Sequence, residues 1–597
     1  MINDFAYNIY HQNLKRYTKE HKSLKKYSIW LSVFRILFFL MFIFFLIELV
    51  NNPDFLNIIL IFVSFISFII SVKKSTKTSE KIGFINNLIL INSNELRALN
   101  HDFSIFDGGA DFNDLSHPYS SDLDIFGEES IFSQVNRTTS YFGKNQLAQW
   151  FNTPLLKKSK IIQRQEAVKE LTFMYDLRQS FMALSSDSNE HQNRKNILSW
   201  IHHTLSHKEF YLLRFIALTF VIISIASIIL VFLKLLPFNL LVLILFINAL
   251  LIFSKLKKIN NEHSRLSKQF NHIAQIADKI DMIDKQEFNS SYLRDLQNKI
   301  KGDEKKGIDA LKKLAKLINY FDYRLNIFIS IVLNGFFLWD FFCLIRLHKW
   351  KRNFSKSIHE WFLVIDEFDA LQSIANFSFN NPDYTFAEIT DHNIIIAKNI
   401  GHPQIEPGKR ICNHFSIKQS GEFHIITGPN MAGKSTFLRT IGCAIILAQI
   451  GAPVCAEEFI LKPVNLYTGM RTTDSLNKNE SYFMAELIRL KKIMNKTRED
   501  FPVFIILDEI LKGTNSKDKE EGSKQYIKRV SELNASGIIA THDISLAELE
   551  KEFPEKIQNF CFEAENTGDI LFYSYKLKKG ITTRMNATIL MKQMGII

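Results

Sequence analysis

Two long runs without a polar face restrict this chain more than any other feature. The first extends from Ile29 to Val50, is cut by Asn51-Asn52-Pro53-Asp54, and resumes from Phe55 to Val72. The second extends from Phe215 to Leu233, breaks at Lys234 to Pro237, and resumes from Phe238 to Phe253. A helix in a water-soluble core usually keeps one polar stripe, and stretches such as Ile36 to Ile47 have none. Each arm has roughly the length that crosses a hydrocarbon layer of about 30 Å, the fourth being short. Two transmembrane helical hairpins are therefore expected. They also absorb much of an excess of Phe, 53 residues in 597.

The basic residues orient these hairpins. Lys15, Arg16, Lys19, Lys22, Lys25 and Lys26 precede the first arm, Lys73, Lys74, Lys77 and Lys81 follow the second, and the turn between has neither Lys nor Arg. Lys208 and Arg214 precede the second hairpin, Lys255, Lys257 and Lys258 follow it, and Lys234 alone lies in its turn. By the positive-inside bias, both hairpins begin and end in the cytoplasm. The expectation is a multi-pass protein of the cell (inner) membrane whose other domains are cytoplasmic, with the lipid bilayer as its first partner. A fifth apolar run, Leu325 to Leu338, is shorter and contains Asn326, Asn334 and Gly335; it reads as a buried helix. A formal charge of +12 points to a polyanionic partner without choosing among nucleic acid, nucleotide and anionic lipid. The 5 Cys are dispersed with no C-x-x-C pair, so neither a zinc knuckle nor a disulfide framework is indicated.

Along the chain the texture changes several times. Residues 1–80 hold the first hairpin (about 29–50 and 55–72), and 81–124 read as a connector, rich in Asp, Ser and Gly from Asp102 onward. Residues 125–210 have helical spacing, 211–255 hold the second hairpin, and 256–376 are helical again. In that last stretch Ile273, Ile276, Ile280 and Ile283 recur at three and four, which predicts a lever-like helix or helix pair. From 377 to 597, short β-rich runs broken by Gly and Pro alternate with helices, the pattern of an α/β domain.

That last domain carries the most specific motif. Gly428-Pro429-Asn430-Met431-Ala432-Gly433-Lys434-Ser435-Thr436 fits G-x-x-x-x-G-K-[ST], with a β-rich run before it and a helical run after it. Glycines at this spacing let backbone N–H groups curl around phosphate oxygens at a helix N-terminus. Lys434 reaches the β and γ phosphates and Ser435 ligates Mg²⁺. Further on, Val503-Phe504-Ile505-Ile506-Leu507 reads as a buried strand ending in Asp508-Glu509. Asp508 is the expected second Mg²⁺ group, and Glu509 the residue that orients and polarises the attacking water. His542, after the strand Gly537 to Thr541, lies where a γ-phosphate sensor belongs. The expected cofactors are ATP and Mg²⁺, with Glu509 and His542 catalytic.

These residues carry a family resemblance. Thr427 to Thr436 resembles the T-G-P-N-M-G-G-K-S-T loop of MutS-family ATPases, with Ala432 in place of a glycine. Leu507 to Ile510 with Lys512-Gly513-Thr514 resembles their L-D-E-I-G-R-G-T, and Ala540-Thr541-His542 their A-T-H. Asp474 to Glu486 is similar to their signature segment, with Asn479 where a glycine is usual. Ser481 then takes the signature position, which in that family caps the γ-phosphate of the partner subunit. Tyr575-Lys576-Leu577 and Gly580 match a C-terminal Y-K-L-x-x-G. Upstream, Asn136-Arg137-Thr138, Gly143, Trp150, Pro154 and the stretch Arg164 to Leu171 are similar to the family's core domain, and Gly401-His402-Pro403 to the R-H-P that opens its ATPase domain.

The resemblance implies a multidomain fold: an α/β P-loop (ABC-type) ATPase domain, an all-α core and lever, and the two hairpins. It implies a homodimer with ATP sandwiched between P-loop and Ser481 in trans, and DNA as a candidate ligand. A mismatch-reading domain is not expected, because few residues other than membrane arms and connector precede the core match. The tripeptide Phe126-Gly127-Glu128 matches the family's F-x-E wedge but abuts that core, and reads as coincidence. DNA binding, if it occurs, is therefore expected to be non-specific and blind to mismatches. The competing reading is a membrane-organising or ABC-class transport-related ATPase with no nucleic-acid role. Against transport, there is no L-S-G-G-Q signature, and Arg35 and Glu48 lie near the ends of their arm rather than inside a path.

Overall fold

The computed structural model describes residues 4–184, 190–202, 204–302, 307–392, 395–471, 482–497, 501–511, 514–567 and 570–582. The chain forms two compact units. One comprises Met1–Arg137, Asn145–Ala183 and Ala370–Ile597; the other comprises Thr138–Lys144 and Leu184–Asp369.

In the first unit, the first hairpin is a pair of very long helices, α1 (Asp4–Asn51) and α2 (Phe55–Leu99). Both are long and apolar enough to cross a membrane. Helix α2 does not stop near residue 80; it runs to Leu99, so the segment read as a connector from 81 is helical for its first part. The reason is a seam that the apolar run hides. Ser64, Ser71, Thr78, Ile85 and Asn92 recur every seven residues, Leu88 and Glu95 each follow three residues after the last two, and all are buried. This is the spacing of two packed helices, with small residues where the backbones approach. Ser71 Oγ donates to the Leu31 carbonyl across the pair (3.3 Å), and Lys81 pairs with Glu20. At the foot of the hairpin, Glu95 accepts from Arg137 Nε (2.5 Å) and from Asn380 Nδ2 (2.7 Å), and the Tyr10 hydroxyl donates to Asn380 (2.8 Å).

The rest of this unit is mixed α/β with short helices: α3 (Ile131–Val135), α4 (Tyr141–Asn152, entering from the other unit), α5 (Lys158–Phe173) and α6 (Tyr175–Ala183). A short antiparallel pair joins β1 (Thr385–Phe386) to β6 (Pro453–Val454). A four-stranded sheet has the order β2 (Glu388–Ile389), β7 (Glu458–Leu461), β3 (Ile395–Ile400), β4 (Asn413–Ile417). The larger sheet has the order β12 (Ile570–Lys579), β11 (Ile557–Thr567), β5 (Phe423–Thr427), β10 (Ala535–Thr541), β9 (Val503–Asp508), β8 (Asn465–Gly469). All its pairings are parallel except β11 with β12. The central strands β5, β9 and β10 are buried on both faces, as parallel strands covered by helices must be.

The second unit is helical. It contains α7 (Glu190–His202), α8 (His207–Phe232), α9 (Phe238–Ser254), α10 (Leu256–Ser267), α11 (Phe270–Asp284), α12 (Ser291–Lys301), α13 (Gly307–Asp322), α14 (Ile327–Phe337) and most of α15 (Trp339–Asn380). Helix α8 is long and apolar enough to span; α9 qualifies only together with α10, across a 62° bend. The expected single lever or helix pair from 256 is instead cut into short helices, because Ser290 caps a new helix and Gly302 takes φ +58. A second expectation also fails. The run from Leu325 to Leu338 is not buried: Ile331 is 67% and Val332 52% exposed. Its helix α14 packs one side against α8 and α9, where Asn248 Nδ2 donates to the Gly335 carbonyl (2.5 Å) and to Ser224 Oγ (2.9 Å). It leaves its other side apolar and free within this unit.

Candidate functional site

Parallel register brings the motif residues together. Thr427 lies beside Thr541 and Cys561, and Asp508 beside Ala540, so β5, β10 and β9 end at one edge. Crevices at the carboxyl edge of such sheets are where α/β folds gather their functional groups. The loop from Gly428 to Gly433 leaves β5 there and enters α16 (Lys434–Gln449), whose apolar side chains are buried almost throughout. Glycine is required at both ends of this loop. Gly428 has φ +152, and a Cβ on it would lie 2.6 Å from the Phe562 carbonyl; Gly433 has φ +99 and caps α16.

Several of these side chains lie close together at this edge. Ser435 Oγ donates to Asp508 Oδ2 at 2.5 Å, linking the loop to the β9 acid. Lys434 Nζ donates to the carbonyls of Gly428 (2.7 Å) and Pro429 (3.0 Å), folded back into the loop it serves. Burial holds its ammonium below the usual lysine range, partly offset by Asp508 and Glu509. His542 Nε2 lies 2.7 Å from Asn430 Oδ1, 3.2 Å from Glu509 Oε1 and 3.4 Å from Lys434 Nζ. Burial, then Lys434, lowers the His542 pKa, which keeps the ring neutral at pH 7. Glu509 adopts φ +59, a left-handed conformation that turns its carboxylate out of the strand line toward His542. Met431 and Thr436 face an adjoining cavity of about 520 Å³, whose far wall includes Ile411, Phe562, Tyr573 and Tyr575. Ala432 is buried beneath the loop. Ser481 lies outside the described residues, as do Lys512 and Gly513; the helix after Ser481 is α17 (Tyr482–Lys496).

The remainder of the connector contributes groups for which the sequence carries no local signal. Asp122 is buried and accepts four hydrogen bonds: from Thr468 Oγ1 (2.6 Å), Met470 N (3.1 Å), Arg471 N (3.0 Å) and Arg489 (2.6 Å). Asp124 binds Arg439 of α16 (2.5 Å) and Arg471 (2.6 Å). Leu123 packs so closely on Gly442 of α16 that a Cβ there would meet it at 2.7 Å. The acidic, Ser-rich end of this connector is thus a clamp on β8, α16 and α17. Phe126, by contrast, is no exposed wedge: it is 6% exposed and packs against Phe132 at 5.3 Å between ring centres.

Mixed α/β sheets joined to a large helical region, with a loop-to-helix turn at the sheet's carboxyl edge, define the class of protein to which comparison then gives a family. Residues 119–501 match MutS domain III and residues 424–594 match MutS domain V. The first match alone covers more than half of the chain, and the chain belongs to the MutS family. It is 32% identical over 234 residues to the DNA mismatch repair protein MutS of Persephonella marina, covering 38% of this chain and 26% of that protein. It is 31% identical over 241 residues to human MutS protein homolog 4, covering 38% of this chain and 25% of that one. The chain thus spans about a quarter of the length of these relatives.

Proposed function

We propose that this protein is a membrane-anchored MutS-type ATPase that binds and hydrolyses ATP as a dimer switch. The observation that carries the proposal is the convergence of Lys434, Ser435, Asp508, Glu509 and His542 at the carboxyl edge of one sheet. A phosphate chain fits this loop: Gly428 to Gly433 offers a concave backbone, and Lys434 needs only to leave two carbonyls to meet it. The hydroxyl and carboxylate that touch at Ser435 and Asp508 are the hard oxygen donors that Mg²⁺ selects. When bound, Mg²⁺ neutralises charge on the phosphate chain. Glu509 would accept a hydrogen bond from the attacking water, and the single N–H of neutral His542 would turn from Glu509 and Asn430 to donate to a γ-phosphate oxygen. Asn430, Met431 and Thr436 border the cavity, and Tyr575 and Ile411 would flank the base and ribose.

Ser481 completes the site from a second copy of the chain, giving an isologous dimer with two sites. The two apolar hairpins anchor it, with the ATPase and core domains in the cytoplasm; the placement of basic residues at the hairpin ends supports that orientation. The mismatch-repair names of its relatives support an association with DNA. The burial of Phe126 supports binding that does not read mismatches. A filter-binding measurement tests the assignment: Lys434→Ala should lose retention of labelled ATP, and ATP binding equal to wild type would refute it.

A further inference from the structure

The helical unit contains a second cavity, of about 940 Å³, that the nucleotide proposal does not use. It is a groove between α13 and α15. These helices run antiparallel: Trp350 Nε1 donates to the Ala310 carbonyl (2.7 Å) and Trp339 Nε1 to the Tyr320 carbonyl (2.8 Å). Lys313 and Lys316 line one wall, Arg346 and Lys349 the other, and Lys299 from the end of α12 approaches the same space. All five are exposed, and none has an ion-pair partner among the described residues. Glu360, at the far end, is the one acid on the described lining. The floor is aromatic: Trp350, Phe354 and Trp361 follow one another at 5.5 Å and 6.3 Å.

Its position distinguishes this groove from a general basic surface. At one end Tyr320 lines it and meets Trp339 at 6.1 Å, and Tyr323 stacks on Trp339 at 6.5 Å. Those aromatics stand on either side of α14 in sequence, as do Arg324 and Asp340, paired at 3.2 Å. The segments that lead into and out of the exposed apolar helix α14 therefore meet each other. The helix α14 is also held against the apolar pair α8 and α9. An apolar helix whose flanking segments share an aromatic cluster, next to a basic groove, has the order of groups found at a membrane–water boundary.

We infer that α14 dips into the bilayer and returns to the same side, and that the adjoining groove binds the phosphate headgroup of an anionic phospholipid. Acyl chains would lie along Ile329, Ile331 and Val332, and the headgroup between Lys313, Lys316, Arg346 and Lys349. This rests on the reading that α8 and α9 lie in a membrane.

The test uses the full chain in dodecyl maltoside micelles, titrated calorimetrically with short-chain dioctanoyl phosphatidylglycerol at about 0.15 M salt. Saturable binding of one lipid per chain is expected, with none for dioctanoyl phosphatidylcholine. Arg346→Gln with Lys349→Gln should weaken it by at least about tenfold. Lys15→Gln with Lys19→Gln, exposed on α1 and outside the groove, should change it by less than about twofold. Equal losses in both double variants would overturn the inference, because the lipid would then be reading overall charge. Glycerol 3-phosphate binding as tightly as the lipid would also overturn it, assigning a soluble phosphate. So would displacement of the lipid by a single-stranded oligonucleotide in wild type but not in the groove variant. Alkaline carbonate extraction of the native membranes is run in parallel. Release of the chain by carbonate with lipid binding intact would refute membrane insertion and leave the groove standing. Retention in the membrane with no phosphatidylglycerol binding would refute the groove alone.

Discussion

Replacing Asp122 by Asn keeps the shape of the side chain and removes what it does. Each carboxylate oxygen is occupied: Oδ2 accepts from Thr468, Met470 N and Arg489, and Oδ1 from Arg471 N. An amide has one accepting oxygen, so the gentler of its two orientations still strands the Arg471 N–H. An unmade bond of this kind costs about 1–3 kcal/mol. The bond to Arg489 also loses its charge assistance, roughly half its strength. Asp122 is 2% exposed and Arg489 24%, so solvent screens little of that loss at the acid and some at the base. The total is about 3 kcal/mol, which corresponds to a local opening constant raised by about a hundredfold. Amide hydrogen exchange of the peptide from Asn465 to Arg471, measured by mass spectrometry on the detergent-solubilised chain, reads this directly. The exchange of Met470 and Arg471 should accelerate by about two orders of magnitude, with β5 unchanged. Acceleration below about threefold would mean that the clamp holds nothing, and the role given to Asp122 would fall.

Other consequences follow from the site and from burial. His402 is 5% exposed, and burial pushes its pKa down to about 4. The unfolded chain takes up this proton near pH 6.5 and the folded chain only near 4, so the ring is without effect above pH 6.5 and costs up to about 1.4 kcal/mol per pH unit below it. The melting temperature should therefore fall between pH 6.5 and 4.5, and less steeply in His402→Gln; identical slopes would refute the burial argument. Mixing equal amounts of Lys434→Ala and Ser481→Arg chains should restore about a quarter of wild-type turnover, since half the dimers regain one of two sites. Each variant alone should be inactive, and an inactive mixture would place Ser481 in the same chain's site.

Legibility in the sequence followed the distance over which a residue acts. Gly428 to Thr436 and Asp508-Glu509 are local patterns whose spacing is set by the chemistry of phosphate and metal, so they stand out in the sequence alone. The four apolar arms were equally plain. Asp122 was not, because its partners lie about 350 residues away, as the 346-residue separation from Thr468 shows. The extension of α2 to Leu99 left a trace in the heptad spacing of Ser64, Ser71, Thr78, Ile85 and Asn92, which the polar character of the seam concealed. The cuts on either side of α12 depend on Ser290 and Gly302, single residues inside a convincing helical pattern. The helix α14 misled for a different reason. Its polar residues suggested burial, whereas Asn334 serves as a local cap, accepting from Asp340 N (2.9 Å), and Gly335 offers its carbonyl to a neighbouring helix. Tyr575 was recognised as part of a motif but acquired a place beside the loop only through the pairing of β11 with β12.

The most direct test of the nucleotide assignment is the steady-state ATPase rate of detergent-purified Glu509→Gln, measured with Mg²⁺ alongside its affinity for ATP. Glu509 stands 3.2 Å from His542 at the end of β9, on a different strand from the phosphate loop, so binding should persist. Loss of the group that positions and polarises water should lower turnover by at least about a hundredfold. Hydrolysis by Glu509→Gln at the wild-type rate would contradict the account.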